Sequence, residues 1–212
     1  MIGLNVTLDL PAGTCRVPNI VLAIAKDLRL PAGAELLPGR CQQPRPDEVT
    51  ERIPLLGRTV GDALTLMAKV DPRYRVVESE GILVVRPLAA WSNEKHFLHM
   101  TLERFELKDG NIGGALDALL APLKGSSGNG ALLMSGVGSI TLSLGPISMV
   151  DALDAIVRQH GQASWQVRYC VDEVAPDVGI VNLSTYDDRG IGTSFVPLRN
   201  GPDGKPMPCP QF

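Results

Sequence analysis

Apolar and polar residues follow one another along this chain with two spacings, one typical of amphipathic helices and one typical of half-buried strands. The helical spacing is clearest after Thr59, a good N-cap residue, where apolar side chains lie at i, i+3, i+4, i+7 and i+8. The residues of this stripe are Val60, Ala63, Leu64, Met67 and Ala68. Strand patterns follow at 73–78 and 82–86, and the turn-forming segment 79–81 between them predicts a hairpin.

The same order of elements occurs a second time. Ser148 is the expected N-cap of another helical stripe, and the triplet Asp-Ala-Leu at 62–64 recurs at 151–153, a separation of 89 positions. The residues of the second stripe are Met149, Ala152, Leu153, Ile156 and Val157. An earlier predicted helix also has a counterpart, because Asn-Ile at 19–20 matches Asn-Ile at 111–112, a separation of 92. Two matched registers predict an internal duplication.

Each half is predicted to contain strand–helix–strand followed by strand–helix–strand–strand. This order indicates an α+β fold made of two tandem βαβ-βαββ domains, each with two helices and small mixed sheets. The expected boundaries are a first domain at 1–90, a linker at 91–99, a second domain at 100–185 and a C-terminal extension at 186–212. The extension is rich in Gly and Pro, so we expect it to wrap the surface.

The repeated unit resembles the short N-terminal domain of secretins and TonB-dependent receptors (STN-like). The resemblance lies in a strand, a capped helix with Ala-Leu at its centre, and two β-rich strands. The matching segments are 53–55, 59–67, 74–77 and 82–85 in the first half and 141–144, 148–156, 165–167 and 180–183 in the second. It implies two helices between small sheets, and a periplasmic adaptor that docks on another envelope protein through exposed strand edges. No secretin or receptor barrel follows the repeats, so the transport function of those proteins is not carried over.

The composition narrows the possible partners. The 212 residues carry a net charge of −3 with a pI of about 5.6, which gives no general attraction to nucleic acid or anionic lipid. No run of about 18 apolar residues occurs, so no direct membrane insertion is expected. Residues 1–10 lack the basic start and long apolar middle of a signal peptide. We nevertheless expect a periplasmic or envelope location, with the signal peptide not present in this chain.

The four cysteines are disulfide candidates. Cys15 and Cys41 fall in the first half, and Cys170 and Cys209 fall in the second. No CxxC pair occurs, which argues against a zinc site or a thioredoxin-like site. An even number distributed in this way suits two local disulfides in an oxidising compartment. Free thiols are an equally open alternative, and the sequence does not fix the connectivity.

Histidines and carboxylates offer few candidates for a chemical site. His96 and His99 form an HxxH pair before an extended segment, where residues i and i+3 point to opposite faces, so we interpret both as surface or linker histidines. His160 falls at a predicted helix C-terminus, where a partly positive ring suits the helix dipole. Asp62 and Asp151 fall at predicted helix N-termini, where a negative charge is favoured.

Motifs for phosphate binding and nucleophilic catalysis are also missing from the sequence. The Gly-rich segment 125–130 follows a predicted helix and lacks the Gly-Lys-Ser/Thr ending of a phosphate loop. No GxSxG or other recognisable nucleophile pattern occurs. The sequence therefore predicts no catalytic residue, no metal ligand and no cofactor.

Three functional hypotheses follow, of which the first is preferred. It is a non-enzymatic interaction module of the periplasm or cell envelope, which docks another envelope protein through exposed strand edges. An alternative is the soluble periplasmic portion of a secretion or pilus assembly. A further alternative is a small-molecule binder or hydrolase with its site in the interdomain cleft. The oligomeric state and the identity of the partner are not predicted.

Overall fold

The computed structural model describes residues 7–10, 16–37, 51–54, 59–123, 132–133, 139–169, 178–187 and 191–197. Within these ranges the chain forms a mixture of helices and small mixed sheets, which confirms the predicted α+β class. The helices are α1 (Arg16–Leu28), α2 (Val60–Val70), α3 (Leu88–Ser92), α4 (Ile112–Leu120) and α5 (Met149–His160). Among the described residues, no helix has the length and hydrophobicity needed to cross a membrane.

Thirteen strands are present in the same part of the chain. The strands are β1 (Thr7–Leu10), β2 (Ala32–Leu36), β3 (Glu51–Pro54), β4 (Tyr74–Ser79), β5 (Ile82–Pro87), β6 (Thr101–Leu102), β7 (Phe105–Gly110), β8 (Leu132–Leu133), β9 (Ile140–Leu144), β10 (Ile147–Ser148), β11 (Ala163–Tyr169), β12 (Val178–Thr185) and β13 (Ile191–Pro197). Short 3-10 turns occupy Phe97–His99 and Ala121–Leu123.

The helices α2 and α5 begin as their sequences predict. Thr59 Oγ1 accepts the N–H of Asp62 at 3.1 Å, and the Asp62 carboxylate accepts the N–H of Thr59 at 3.0 Å. This reciprocal pair is a capping box, which satisfies two N–H groups that the helix leaves open. Ser148 accepts the N–H of Asp151 at 3.2 Å in the same way. The predicted helix N-terminal roles of Asp62 and Asp151 are confirmed.

Seven strands form one continuous sheet in the order β4-β5-β2-β11-β12-β13-β8. Strand β2 is parallel to both β5 and β11, and the remaining neighbours are antiparallel. Three further antiparallel pairs, β1–β3, β7–β9 and β6–β10, lie outside this sheet. Since β4, β5 and β2 come from the first half of the chain, the sheet continues across the predicted domain boundary through the pairing of β2 with β11.

Helices of the two halves cover opposite faces of this sheet. Ala34 and Val85 face α1 and α2 in a buried cluster built from the first half. Val84 points to the other face and joins the larger cluster formed mainly by α4, α5, β11 and β12. Trp165 lies on that second face against Gly33, where any Cβ would overlap the indole ring. Gly33 therefore permits close packing where the two halves meet.

The predicted linker and the predicted C-terminal extension both contain residues that take part in the fold. Within the predicted linker 91–99, Phe97 and Leu98 are buried in the larger cluster, because the chain crosses there from β5 to the second half. Strand β13 lies between β12 and β8. Within the predicted C-terminal extension, Ile191–Pro197 thus forms a strand paired on both sides, and the prediction that the extension wraps the surface stays a prediction.

Candidate functional site

The outer strand β4 is the first candidate site, because it forms one end of the seven-stranded sheet. In the described part of the chain its only strand partner is β5. The strand is six residues long and pairs with β5 without a register shift. An unpaired edge of this kind is a surface on which a further strand can add.

The hairpin turn fixes which backbone groups of β4 face outward. The turn consists of Glu80 at φ 50° and Gly81 at φ 79°, the left-handed pair that defines a type I′ hairpin. In this turn the flanking pair Ser79–Ile82 is hydrogen-bonded, and bonded and non-bonded pairs then alternate along the ladder. The direction of every later backbone group in β4 follows from this alternation.

Counting from Ser79, the alternation directs the N–H and C=O groups of Val76 and Glu78 away from β5. Pro87, which has no N–H, accordingly falls in a non-bonded pair at the far end of the ladder. The outward groups of Val76 and Glu78 have no strand partner among the described residues. They are suitably placed to form the first hydrogen bonds with an added strand.

Side chains along this edge combine apolar and charged character. Val76 and Val77 are half-buried on opposite faces, whereas Arg75 and Glu78 are exposed. A groove of about 470 Å³ opens beside the hairpin turn. Its described lining residues are Leu30, Thr59, Val60, Gly61, Glu78, Gly81 and Leu83. A strand added to β4 would thus pass close to an apolar groove with one carboxylate at its rim.

A buried polar cluster is the second candidate site, and it lies where β2 pairs with β11, a junction we call the seam. Glu35 of β2 accepts a hydrogen bond from Arg86 Nε of β5 with one carboxylate oxygen, and from the Tyr169 hydroxyl of β11 with the other. His96 Nε2 lies 2.6 Å from the same hydroxyl oxygen. None of these four residues is more than 1% exposed. With His99, they form what we call the seam cluster.

Hydrogen bonds assign the proton positions on both histidines of the seam cluster. His96 Nδ1 accepts the N–H of Leu98 at 3.2 Å, so a neutral His96 carries its proton on Nε2 and donates to Tyr169. His99 Nε2 lies 3.2 Å from Arg86 Nη1. Since a guanidinium can only donate, His99 Nε2 accepts. Both histidines therefore fit the cluster in their neutral form.

Burial determines the charge state of the cluster. Burial and the nearby Arg86 lower the pKa of His96 to about 3, and the same two causes lower the pKa of His99. Burial raises the pKa of Glu35, while Arg86 and the Tyr169 hydroxyl lower it. Both Glu35 oxygens accept hydrogen bonds, an arrangement suited to an ionised carboxylate. At neutral pH, Arg86 and Glu35 thus supply one charge of each sign.

An aromatic contact connects the seam cluster with the open edge. The guanidinium carbon of Arg86 lies 4.8 Å from the centre of the Trp91 ring, and that of Arg75 lies 5.4 Å from it. These distances are within the range of cation–π attraction. Among the described residues, Arg86 Nη2 and Trp91 Nε1 are buried without a hydrogen-bond partner. The side chain of Arg75, on the edge strand, is thus one ring away from the buried charge pair.

The candidates from the sequence have different outcomes. The interpretation of His96 as a surface histidine is wrong, because the 3-10 turn at Phe97–His99 places its ring inside the core. His160 ends α5, as its predicted position requires. No group of three His, Cys, Asp or Glu side chains suited to a metal is found in the described ranges.

The disulfide prediction falls outside the part of the chain that the structure describes. The residues concerned are Cys15, Cys41, Cys170 and Cys209. The Gly-rich segment 125–130 also lies outside it. Both inferences stay predictions.

Sequence reasoning missed Glu35, Arg86 and Tyr169 as members of one site. A signal for the first two is present, because each charge interrupts an apolar run. Glu35 stands in Ala-Gly-Ala-Glu-Leu, and Arg86 follows Ile-Leu-Val-Val. Charged residues within buried strands are rarely left unpaired. The two runs together could have suggested a buried ion pair.

Comparisons with models of protein families, with curated proteins and with solved structures find no match for this chain. The resemblance to the short N-terminal domain of secretins and TonB-dependent receptors therefore stays an expectation. A function has to be argued from the open edge, the seam and the chemistry of their side chains.

Proposed function

We propose that this chain is an internally duplicated, non-enzymatic interaction module that binds an extended segment of another envelope protein on the open edge of β4. The observation that carries the proposal is the seam. There the edge of β11, a strand of the second half, already accepts a strand of the first half over five residues, Ala32–Leu36. The corresponding edge in the first half belongs to β4, and it is open.

Matching contacts in the two halves support the duplication. The antiparallel pair β1–β3 corresponds to β7–β9, and the hairpin β4–β5 corresponds to β11–β12. Helix α1 packs beside α2, and α4 packs beside α5. Helix α2 lies on β4 as α5 lies on β11. Strand β13, between β12 and β8, is an addition of the second half alone.

One symmetry operation accounts for the arrangement of these units. Across the sheet, β4, β5 and β2 are followed by β11, β12 and, beyond β13, by β8. Strand directions are reversed between the two sets, and their helices cover opposite faces. A half-turn about an axis running across the sheet, combined with a shift of three strand positions, takes β4 to β11 and β5 to β12 with reversed direction and on the opposite face. Strand β8 lies one position farther out than the image of β2, because β13 is inserted before it. This relation between the hairpins supports the duplication.

The operation also indicates how a partner would bind. The operation relates β4 to β11, and β2, the strand that pairs with the edge of β11, is parallel to β11. A strand added to β4 by the same geometry would be parallel to β4 and would hydrogen-bond with the outward groups of Val76 and Glu78. Main-chain hydrogen bonds of this kind supply affinity, and neighbouring grooves supply specificity.

Envelope location and an envelope partner follow from the STN-like resemblance alone. The two helices and small sheets of each half are compatible with the fold that this resemblance implies. The alternative of a soluble portion of a secretion or pilus assembly uses the same edge, and a ring or larger oligomer in solution would favour it. No observation favours a cleft between the halves, because Trp165, Gly33 and the seam cluster fill the described junction.

A proline substitution tests the role of the edge. Val76→Pro removes an outward N–H without removing a bond to β5, and proline is tolerated at such edge positions. Val76→Thr is the matched control, since it keeps the N–H and the β-branched shape. Each protein is immobilised, exposed to envelope extract, and the captured proteins are quantified by mass spectrometry.

We expect the same captured protein on the wild type and on Val76→Thr, and its loss on Val76→Pro. Thermal unfolding of the three proteins checks that all are folded. Equal capture of that protein by Val76→Pro would mean that the β4 edge is not the docking surface. A size measurement on the wild type separates the assembly alternative, because a monodisperse monomer counts against it.

A further inference from the structure

The seam joins two parts that each have their own pair of helices. Five residues of β2 pair with 164–168 of β11, while α1 and α2 pack in one cluster and α4 and α5 in another. Tyr186 adds a hydrogen bond from its hydroxyl to the Leu30 carbonyl oxygen, which also crosses between the halves. Opening the seam would uncover Ile82 and Val84, which pack in the larger cluster, but would leave the hairpins β4–β5 and β11–β12 paired.

We propose that the seam cluster is an acid-sensitive lock, in which protonation of His96 and His99 opens the pairing of β2 with β11. Opening would free one edge of each strand, and both edges would then resemble the open edge of β4. This inference depends on the seam cluster alone and does not require the proposed docking function.

Each histidine accepts a hydrogen bond that its protonated form cannot accept. Neither bond joins β2 to β11 directly, but His96 lies between these strands, with its Nε2 2.6 Å from the Tyr169 hydroxyl of β11 and 3.8 Å from the Glu35 carboxylate of β2. His96 Nδ1 accepts the N–H of Leu98, and a protonated Nδ1 would face that N–H with its own hydrogen. His99 Nε2 accepts a hydrogen bond from Arg86, and a protonated Nε2 would face the guanidinium as a second cation. Protonation thus removes two acceptors and adds positive charge beside Arg86.

Charged groups from every neighbouring strand and helix affect this balance. Glu35 of β2 has a carboxylate oxygen 3.8 Å from His96 Nε2, but Arg86 of β5 already neutralises it. A hydrogen bond with the Asn93 backbone raises the pKa of His99, and so does Asp151 of α5. Asp154, also on α5, interacts with Arg86. Tyr169 of β11 stays neutral, because burial and the Glu35 charge raise its pKa.

Burial decides the outcome for both histidines. Despite the nearby carboxylates, the pKa of His96 is lowered to about 3 and that of His99 is also lowered. A group with a lowered pKa in the closed state binds protons more strongly once the seam opens. The two neutral histidines therefore stabilise the closed seam fully above pH 6.5, the ordinary pKa of histidine. This stabilisation is lost as pH falls towards their lowered pKa.

Two carboxyl groups near the histidines do not promote opening in acid. Glu35 favours the closed state as pH falls, and Asp154 is not part of the contacts that opening breaks. Burial raises the pKa of Glu35, so acid favours the closed state at this residue. Asp154 accepts a hydrogen bond from Trp165 Nε1 at 2.7 Å, and both residues belong to the second half, so opening the seam leaves this contact in place. Comparing the wild type with a histidine variant isolates the histidine contribution, since both carboxyl groups are present in each protein.

Hydrogen exchange measures the opening directly. Protection factors, which correct for the intrinsic pH dependence of exchange, are determined at about pH 7.5 and about pH 5 for amides of β2 and β11. The hairpin β4–β5 and helix α5 serve as references within each half. For the wild type we expect seam opening to increase more than about tenfold relative to these references, since each protonation contributes up to tenfold per pH unit.

Glutamine variants identify the groups responsible. His96→Gln keeps one hydrogen-bond donor and one acceptor but cannot become positive. We therefore expect the increase in seam opening between neutral and acid pH to be smaller than in the wild type by about tenfold or more. His99→Gln is expected to reduce it less, because His99 is only partly buried. His160→Gln, at the end of α5, is the control and leaves the increase unchanged.

Several results would overturn the lock. One is an equal increase in the wild type and in both glutamine variants at 96 and 99. Another is simultaneous opening of the references, which would indicate global unfolding in acid. If a variant does not fold, a pH titration of the histidine ring proton resonances in the wild type tests the proposal instead. Titration of His96 in the closed protein near its ordinary pKa would exclude the proposal.

Discussion

Strands β4 and β11 are each the first strand of a hairpin, yet β4 forms an open edge and β11 lies inside the sheet. Along β11, Trp165, Val167 and Tyr169 are completely buried. Along β4, Arg75 and Glu78 are exposed. Charges on an edge strand discourage random pairing, whereas a strand paired on both sides can carry continuous apolar residues. The side chains of the two strands thus suit an open edge in β4 and a closed one in β11.

The seam differs from an ordinary apolar junction in a second way. At its closed edge, Tyr169 of β11 donates a hydrogen bond to Glu35 of β2, which also forms a buried charge pair with Arg86 of β5. A buried ion pair adds little net stability compared with apolar packing, but breaking it by removing one partner is costly. The closed edge of β11 should therefore be far more sensitive to single substitutions than the open edge of β4.

The largest effect is expected from Arg86→Met. This change leaves Glu35 buried at the seam without its counter-charge, and the expected loss is about 3–5 kcal/mol in the free energy of unfolding. Urea denaturation at neutral pH measures it. Because the variant has no positive partner for Glu35, its stability should recover as pH is lowered and the carboxyl takes up a proton.

A double variant separates charge from packing in this experiment. Adding Glu35→Gln to Arg86→Met leaves a neutral amide that can still accept a hydrogen bond from Tyr169. We expect the double variant to be more stable at neutral pH than Arg86→Met alone. If it is less stable, the cost of Arg86→Met comes from lost side-chain packing and not from the unpaired charge of Glu35.

A smaller effect is expected from Gly33→Ala, which fills the space that Trp165 occupies across the seam. Forcing the indole ring aside should cost about 1–3 kcal/mol, as overpacking of a buried site usually does. Gly145→Ala is the matched control, because a Cβ there meets nothing within 4 Å. Thermal unfolding of both variants measures the difference, and equal stabilities would show that the seam tolerates wider strand separation.

The elements themselves were predictable because their signals are local. The apolar stripes after Thr59 and Ser148 define α2 and α5, and the segment 79–81 predicts the hairpin that the type I′ turn forms. These features depend on neighbours a few residues apart, where spacing and capping chemistry carry the information. The α+β class follows from the order of such elements.

The seam and its cluster were not predictable in the same way. Strand β2 finds β11 far along the chain, and no local pattern specifies that partner or its parallel direction. The burial of His96 depends on a short turn against Tyr169, a contact between distant residues. Only the charges at Glu35 and Arg86, each within an apolar run, offered a sequence signal. Long-range strand pairing is where the sequence pattern stops being informative.

The smallest effect on stability is expected at the open edge. Val76→Pro should change the free energy of unfolding by less than about 1 kcal/mol, since its N–H points away from β5 and proline is tolerated at such positions. Val77→Pro is the matched control, because its N–H belongs to the β4–β5 ladder and its loss should destabilise the hairpin more. Chemical denaturation of both variants tests the assignment of inward and outward groups. If Val76→Pro proves the more damaging, the outward direction of Val76 is wrong, and with it the geometry proposed for docking on β4.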